Sequence, residues 1–247
     1  MNYEKILEQG GFIYKGDFYK LTSAIDSTEA EFLKKLIEKH KPMSTLEIGC
    51  AEGISSMVIC ETIPTKGIHL ILDPNQSTEW KNMGKNNLQN VGLNNFEIVE
   101  EYSEFALPEF LKDGKRFDLV FVDGWHTFDQ VLLEFFYINR LLPIGGIVVF
   151  DDSSMPGINR VMRYISNYPN YECLGSNRSG TNSKRKAFNK IKMIIKFGAS
   201  MLPLKVRREI FNDLTLRSDK SIGIDGSMVA FMKKGEDQRD WGWYKTF

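Results

Sequence analysis

Residues 44–56, Ser-Thr-Leu-Glu-Ile-Gly-Cys-Ala-Glu-Gly-Ile-Ser-Ser, constrain this chain more than any other stretch. Leu46 and Ile48 flank an acid, Glu47, and Gly49 and Gly53 then lead into a helical pattern that starts near Ile54. The order reads as a strand, a glycine-rich turn and a helix N-terminus. Glycine permits backbone angles that a side chain forbids, and leaves room for a ligand to press on the main chain. The helix start adds free N–H groups and a positive dipole end. A turn of this kind after the first strand of an open α/β sheet is where nucleotide-like ligands sit. The G-x-G-x-x-G spacing of dinucleotide sites is absent, because three residues separate Gly49 from Gly53.

The rest of the chain supplies the sheet. Apolar runs at 69–73, 96–100, 117–122 and 147–150 alternate with helical patterns, as in a doubly wound α/β fold. Further strands are expected at 171–174 and 227–233. A helix is expected at 77–92, with Trp80, Met83 and Leu88 on one side and Gly92 as its stop. Thr28 and Glu31 read as a capping box ahead of Phe32, Leu33, Leu36 and Ile37. Residues 1–26 carry Tyr3, Phe12, Tyr14, Phe18 and Tyr19 and form an N-terminal arm expected to pack over a single domain, 27–247. Residues 175–226 are read as an insertion before the last strand. They open on a Gly, Ser and Asn-rich loop and carry a basic, partly helical run at 184–208. A solvated helix, a lid, a membrane or anion contact and a homo-oligomer contact are its alternative roles. The tail from Trp241 is aromatic and is expected to dock on the domain.

Composition narrows the functional classes. With 247 residues and a formal net charge of zero, the chain has no global pull toward nucleic acid or anionic membrane. Cys50, Cys60 and Cys173 are odd in number and scattered, which suits a cytoplasmic location. The N-terminus has no signal-peptide core, and no run has the length of a membrane span.

The glycine stretch resembles the first motif of class I S-adenosylmethionine-dependent methyltransferases, an acid-x-G-x-G-x-G run, with Ala51 at the middle glycine. The resemblance implies a Rossmann-like, seven-stranded, mostly parallel sheet with helices on both faces and its last strand antiparallel. It also implies S-adenosylmethionine as cofactor. Glu47 would meet the ammonium, and Gly49, Cys50, Ala51, Gly53 and Ser55 would form the cofactor turn. Asp73 would take the ribose hydroxyls, and Ser103 would contact the adenine. Structural alternatives stand beside these roles: a satisfied acid in a tight turn for Glu47, a cap or turn residue for Asp73, and a helix cap for Ser103.

Asp123, Asp151 and Asp152 stand just past strand ends that share one edge of a parallel sheet. Unpaired, they would repel and raise one another's pKa. A divalent cation relieves this, and all-oxygen ligation suits Mg²⁺, Mn²⁺ or Ca²⁺. His126, three residues after Asp123, can point into the same space. The run 117–152 resembles the metal-dependent small-molecule O-methyltransferases of the catechol and antibiotic-sugar types. That likeness makes Asp123, Asp151 and Asp152 the metal ligands, Asp123 also a cofactor contact, and His126 the general base, where the catechol enzymes carry lysine. The acceptor would be a hydroxyl of a small molecule such as a sugar or catechol. Helix capping by the aspartate pair and a surface histidine are the structural alternatives. A nucleic-acid methyltransferase and a non-catalytic binding protein on the same fold are the functional ones. Against the first stands Asp123-Gly-Trp-His126, where an Asn/Asp-Pro-Pro-aromatic run would grip a base.

Overall fold

The computed structural model describes residues 2–177 and 217–245. Most of the expected insertion, including the basic run 184–208, lies outside the described residues. The N-terminal arm forms α1 (Tyr3–Gln9) and a hairpin of β1 (Gly11–Tyr14) and β2 (Asp17–Lys20). Then follow α2 (Ser27–His40), β3 (Ser44–Ile48), α3 (Ile54–Thr62), β4 (Ile68–Leu72), α4 (Met83–Asn90) and β5 (Phe96–Val99). The second half comprises α5 (Ser103–Lys112), β6 (Leu119–Val122), α6 (Phe128–Leu141), β7 (Ile147–Phe150), α7 (Pro156–Ile165), β8 (Tyr171–Ser176) and β9 (Val229–Lys233). The main sheet has seven strands in the order β5-β4-β3-β6-β7-β9-β8. β9 slots between β7 and β8 and is antiparallel to both, while the other pairings are parallel. The expected Rossmann-like sheet with its antiparallel last strand is the one observed.

Alternation along each strand divides the core between two faces. Leu46, Leu70, Val120, Val148 and Phe231 pack against Leu107 of α5, Phe135 of α6 and Met162 of α7. Ile71, Phe121, Val149 and Ala230 face the opposite way, onto Ile6 of α1, Leu33 of α2, Met57 of α3 and Leu88 of α4. β6 and β7 are buried along their whole length, as a strand covered on both faces must be.

Two local expectations are corrected. The capping box belongs to Asp26 and Glu29 rather than Thr28 and Glu31. Asp26 Oδ1 accepts from the Thr28 and Glu29 amides, and Glu29 Oε2 accepts from the Asp26 amide at 2.7 Å. The helix expected at 77–92 starts only at Met83, because Lys81 and Asn82 adopt left-handed backbone angles (φ 50° and 60°) that interrupt it. Residues 74–82 form a loop instead. In the tail, Trp243 packs edge-on against Tyr168 with ring centroids 5.5 Å apart. Arg239 stacks on the Tyr168 ring and pairs with Asp237, while Trp241 and Tyr244 remain exposed. Among the described residues no helix is long and apolar enough to cross a membrane.

Candidate active site

Strand register sets the site. Ile48 pairs with Leu72 and Val122, and Val122 pairs with Phe150. The next residues, Gly49, Asp73, Asp123 and Asp151, therefore stand together at the carboxyl edge of the sheet. They line a cleft of about 820 Å³. The remaining walls come from Thr22–Ile25 of the arm, from Trp80, from Tyr102 and Ser103, and from Trp125 and His126.

The glycine turn is closed from within. Gly49 has φ +91°, and a Cβ there would stand 2.2 Å from the Asp123 carbonyl oxygen, so only glycine allows the approach. Asp73 holds the turn: its Oδ2 accepts from the amides of Cys50 and Ala51 and from Gln76 Nε2, each at 3.1 Å. Its Oδ1 accepts from the Asn75 amide at 2.9 Å. Gly49, Cys50, Ala51, Asp73, Ser103 and Asp123 all line the cleft.

Three expected cofactor residues do not. Glu47 is fully buried, and its Oε2 accepts from Ser56 Oγ and lies 3.0 Å from His69 Nε2. His69 Nδ1 in turn meets Thr45 Oγ1 at 2.9 Å. Period-two alternation aims Glu47 at the α3 face of the sheet, behind the glycine turn, and its Oε1 is buried without a hydrogen-bond partner among the described residues. Gly53 is the left-handed N-cap of α3 and packs on Gly84, and Ser55 is buried in the first turn of α3. Both support the turn rather than line the cleft.

On the opposite wall, Ser103 Oγ donates to Glu134 Oε1 at 2.7 Å and accepts from Gln130 Nε2 at 2.9 Å. Glu134 Oε2 is buried without a hydrogen-bond partner. Burial pushes the Glu134 carboxyl up to about 7, against the pull of the Ser103 and Gln130 hydrogen bonds. The sequence held a signal for this group. Glu134 sits on the same stripe of α6 as Val131, Phe135 and Ile138, so it is an acid on an apolar face.

The other strand-end acids are poorly satisfied. His126 Nε2 lies 3.4 Å from Asp123 Oδ1 and 3.5 Å from Asp152 Oδ2. One potential ligand atom from each of Asp123, His126 and Asp152 falls within 4.8 Å of the others. Asp151 is nearly buried, and its Oδ1 accepts from the Asp152 amide at 2.8 Å. Burial, and then the charges of Asp123 and Glu29, push Asp151 up to about 9. Burial pushes Asp123 up to about 6, even though the hydrogen bond from His126 pulls it down. That same hydrogen bond raises the His126 pKa. Glu29 is a further carboxylate on the cleft, set there by the true capping box and by the hydroxyl of Ser227. A second cavity of about 950 Å³ lies at the opposite edge of the sheet, under the tail between Arg140 and Trp243, and none of the strand-end acids lines it.

Comparison with known proteins agrees with this geometry. Residues 46–153 match the family described as "Methyltransferase domain". Caffeoyl-CoA O-methyltransferase 2 of Petunia hybrida is 28% identical over 141 residues, covering 56% of either chain. The transmembrane O-methyltransferase of Homo sapiens is 26% identical over 156 residues, 61% of this chain and 53% of that one. The chain thus spans little more than half the length of these relatives. Among solved structures, an O-methyltransferase from Bacillus cereus superposes with a TM-score of 0.55 at 19% identity, over 62% of this chain and 75% of that one. The O-methyltransferase TomG from Streptomyces achromogenes gives 0.54 at 22% identity, over 61% and 73%. Sheet order, glycine turn and family match point the same way: residues 46–153 resemble a methyltransferase domain, the sheet is that of O-methyltransferase structures, and the proteins the chain is similar to include O-methyltransferases.

Proposed function

We propose that the protein transfers a methyl group from S-adenosylmethionine to a hydroxyl of a small molecule, with a divalent cation held by Asp123, Asp152 and Asp151. One observation carries the reading: the glycine turn and the strand-end carboxylates open into the same cleft. The residues fit both groups. The turn leaves main chain accessible beside Asp73, as a nucleoside-like ligand requires. The raised pKa values of Asp123 and Asp151 mark carboxylates that lack a compensating positive charge. When bound, the cofactor supplies an electrophilic methyl, and a cation lowers the pKa of a neighbouring hydroxyl.

The chain's own groups do the rest. Asp123 orients the His126 ring, as carboxylate partners of catalytic imidazoles do. With Nε2 turned to Asp123 and Asp152, neutral His126 accepts the hydroxyl proton at its other nitrogen, Nδ1, and the two carboxylates stabilise the resulting imidazolium. The walls formed by Thr22–Ile25, Trp80, Tyr102 and Trp125 hold donor and acceptor in line. An acceptor with two neighbouring oxygens, a catechol or vicinal diol, suits a cation-assisted site, and the likeness to a caffeoyl-CoA O-methyltransferase favours the aromatic case.

The test is S-adenosylhomocysteine formation with a panel of catechols and sugar diols, with Mg²⁺ and with a chelator. Transfer that needs the cation supports the proposal. Cofactor binding without transfer to any hydroxyl would instead leave a binding protein, and no cofactor binding would remove the reading altogether.

A further inference from the structure

Glu52 lies within the glycine turn and has no exposed surface. A carboxylate buried this way is costly unless donors surround it. Its donors come from the N-terminal arm. Oε1 accepts from the Thr22 amide at 2.8 Å, from Thr22 Oγ1 at 2.7 Å and from the Ser23 amide at 3.3 Å. Oε2 accepts from the Ser23 amide at 3.1 Å. From the other side, Asn87 Nδ2 of α4 donates to the Glu52 carbonyl at 2.9 Å, which fixes the backbone that carries the carboxylate. The arm has a second tie, Tyr14 Oη to the Lys81 carbonyl at 2.5 Å, on the loop that carries Trp80.

These ties decide the shape of the cleft. Thr22, Ser23, Ala24 and Ile25 form one wall, and Cys50 and Ala51 of the same glycine turn line another part of it. We propose that Glu52 is a positioning residue: its buried carboxylate locks residues 22–25 to the glycine turn, so that arm and turn form one preorganised cofactor wall. The inference rests on the cofactor reading above. It assigns Glu52 no contact with the ligand. Charge-assisted bonds of this kind are about twice as strong as neutral ones, and the lock spans 30 residues of sequence between Thr22 and Glu52. Without it, the wall is ordered only part of the time, and apparent affinity falls by the ordered fraction.

The experiment compares wild type, Glu52→Ala, Glu52→Gln and Thr22→Val by hydrogen exchange and by S-adenosylhomocysteine titration. The Thr22 and Ser23 amides, both donors to Glu52, should exchange at least about tenfold faster in Glu52→Ala, and ligand Kd should rise by the reciprocal of the fraction of time the wall is ordered. In turnover, KM for the methyl donor should rise while kcat at saturation stays within about twofold, since the bound state restores the wall. Glu52→Gln keeps one carbonyl acceptor for Thr22 but turns its NH₂ toward the Ser23 amide, and should recover only part of the affinity. Thr22→Val removes one bond and should move both readouts slightly in the same direction. A uniform loss of kcat with unchanged KM would mean a merely structural role and overturn the proposal. Unchanged exchange at Thr22 and Ser23 would overturn it as well. If wild type binds no S-adenosylhomocysteine, the cofactor reading fails, and the exchange rates still report whether Glu52 fastens the arm.

Discussion

Asp73 and Asp123 occupy equivalent places, each one residue beyond a registered strand end, yet their surroundings are opposite. Asp73 is enclosed by donors: the amides of Cys50, Ala51 and Asn75, and the Gln76 side chain. Asp123 has the His126 ring, and among the described residues Asp151 beside it has only the Asp152 amide. A carboxylate surrounded by donors builds structure. Carboxylates grouped without donors are held at an energetic cost, and such strain is repaid by a ligand. The β3–β4 side of the cleft is thus finished as it stands, whereas the β6–β7 side carries acids without matching donors, where the proposed cation would sit.

The sharpest break between the two sides is a charge-removing swap in each. Asp123→Asn should leave the ligand-free protein as stable as wild type or more so, because it removes a half-buried charge that repels its neighbours. The same change should cut methyl transfer on the order of 10³-fold, the several kcal/mol a Lewis-acid site supplies at about 1.4 kcal/mol per decade. It should also abolish the rise in melting temperature on adding Mg²⁺. Thermal denaturation with and without Mg²⁺, beside initial rates, reads all three. A large loss of stability in the metal-free protein would show that the acids are structural after all.

Asp73→Asn should do the reverse in the folded state. The carboxamide turns a donor toward a nest of donors, which leaves buried amides unsatisfied at a cost of about 3 kcal/mol. Urea denaturation measures this, and the Mg²⁺ response should persist. Equal stability in Asp73→Asn would mean that the glycine turn holds its shape without the acid.

This contrast marks what the sequence discloses. Strand ends, the glycine turn and the edge shared by Asp73, Asp123 and Asp151 follow from hydrophobic runs and chain order, and the sheet repeats them. Glu47 does not line the cleft, because its neighbours Leu46 and Ile48 set its face by alternation, a parity that a motif match ignores. Glu29 was hidden by a capping box read two residues late, since Thr28 and Glu31 satisfy the same spacing as Asp26 and Glu29. Trp80 reaches the cleft because Lys81 and Asn82 take left-handed angles, which no helical periodicity announces. Glu52 is out of reach of pattern reading, because its partners Thr22 and Ser23 meet it only after the arm has folded back.

Glu134 extends the comparison to the α5–α6 wall and gives it a pH dependence. Its folded pKa of about 7 lies above the ordinary carboxylate value. The folded state therefore favours the protonated form, so this contribution to stability is complete below about pH 4.5 and is lost as pH rises through about 7. One proton sets a slope of at most about 1.4 kcal/mol per pH unit in that window. Glu134→Gln keeps the shape without the charge, so its stability should be flat over the window and exceed wild type on the order of 2 kcal/mol at pH 8. Denaturation at pH 5, 6, 7 and 8 tests it, and parallel curves for the two proteins would place Glu134 among the satisfied acids.

The smallest effect returns to the finished side. Ala51 stands where the methyltransferase motif that this turn resembles has its middle glycine, and adopts a left-handed φ of 46°. For a residue with a Cβ that conformation costs about 1–2 kcal/mol. The turn nevertheless keeps it, because the Ala51 amide donates to Asp73 and the Ala51 carbonyl accepts from Gln76 Nε2 at 2.8 Å. Ala51→Gly removes the strain but loosens the unfolded chain by about 0.4–1 kcal/mol, so the net gain should lie between zero and about 1.6 kcal/mol. Cofactor affinity should stay within about threefold, since Asp73 already fixes the turn and 1.4 kcal/mol would be needed for a tenfold change. Denaturation and ligand titration read the two quantities together. A gain in stability paired with a large loss of affinity would show that the strained alanine, rather than Asp73, shapes the turn for its ligand.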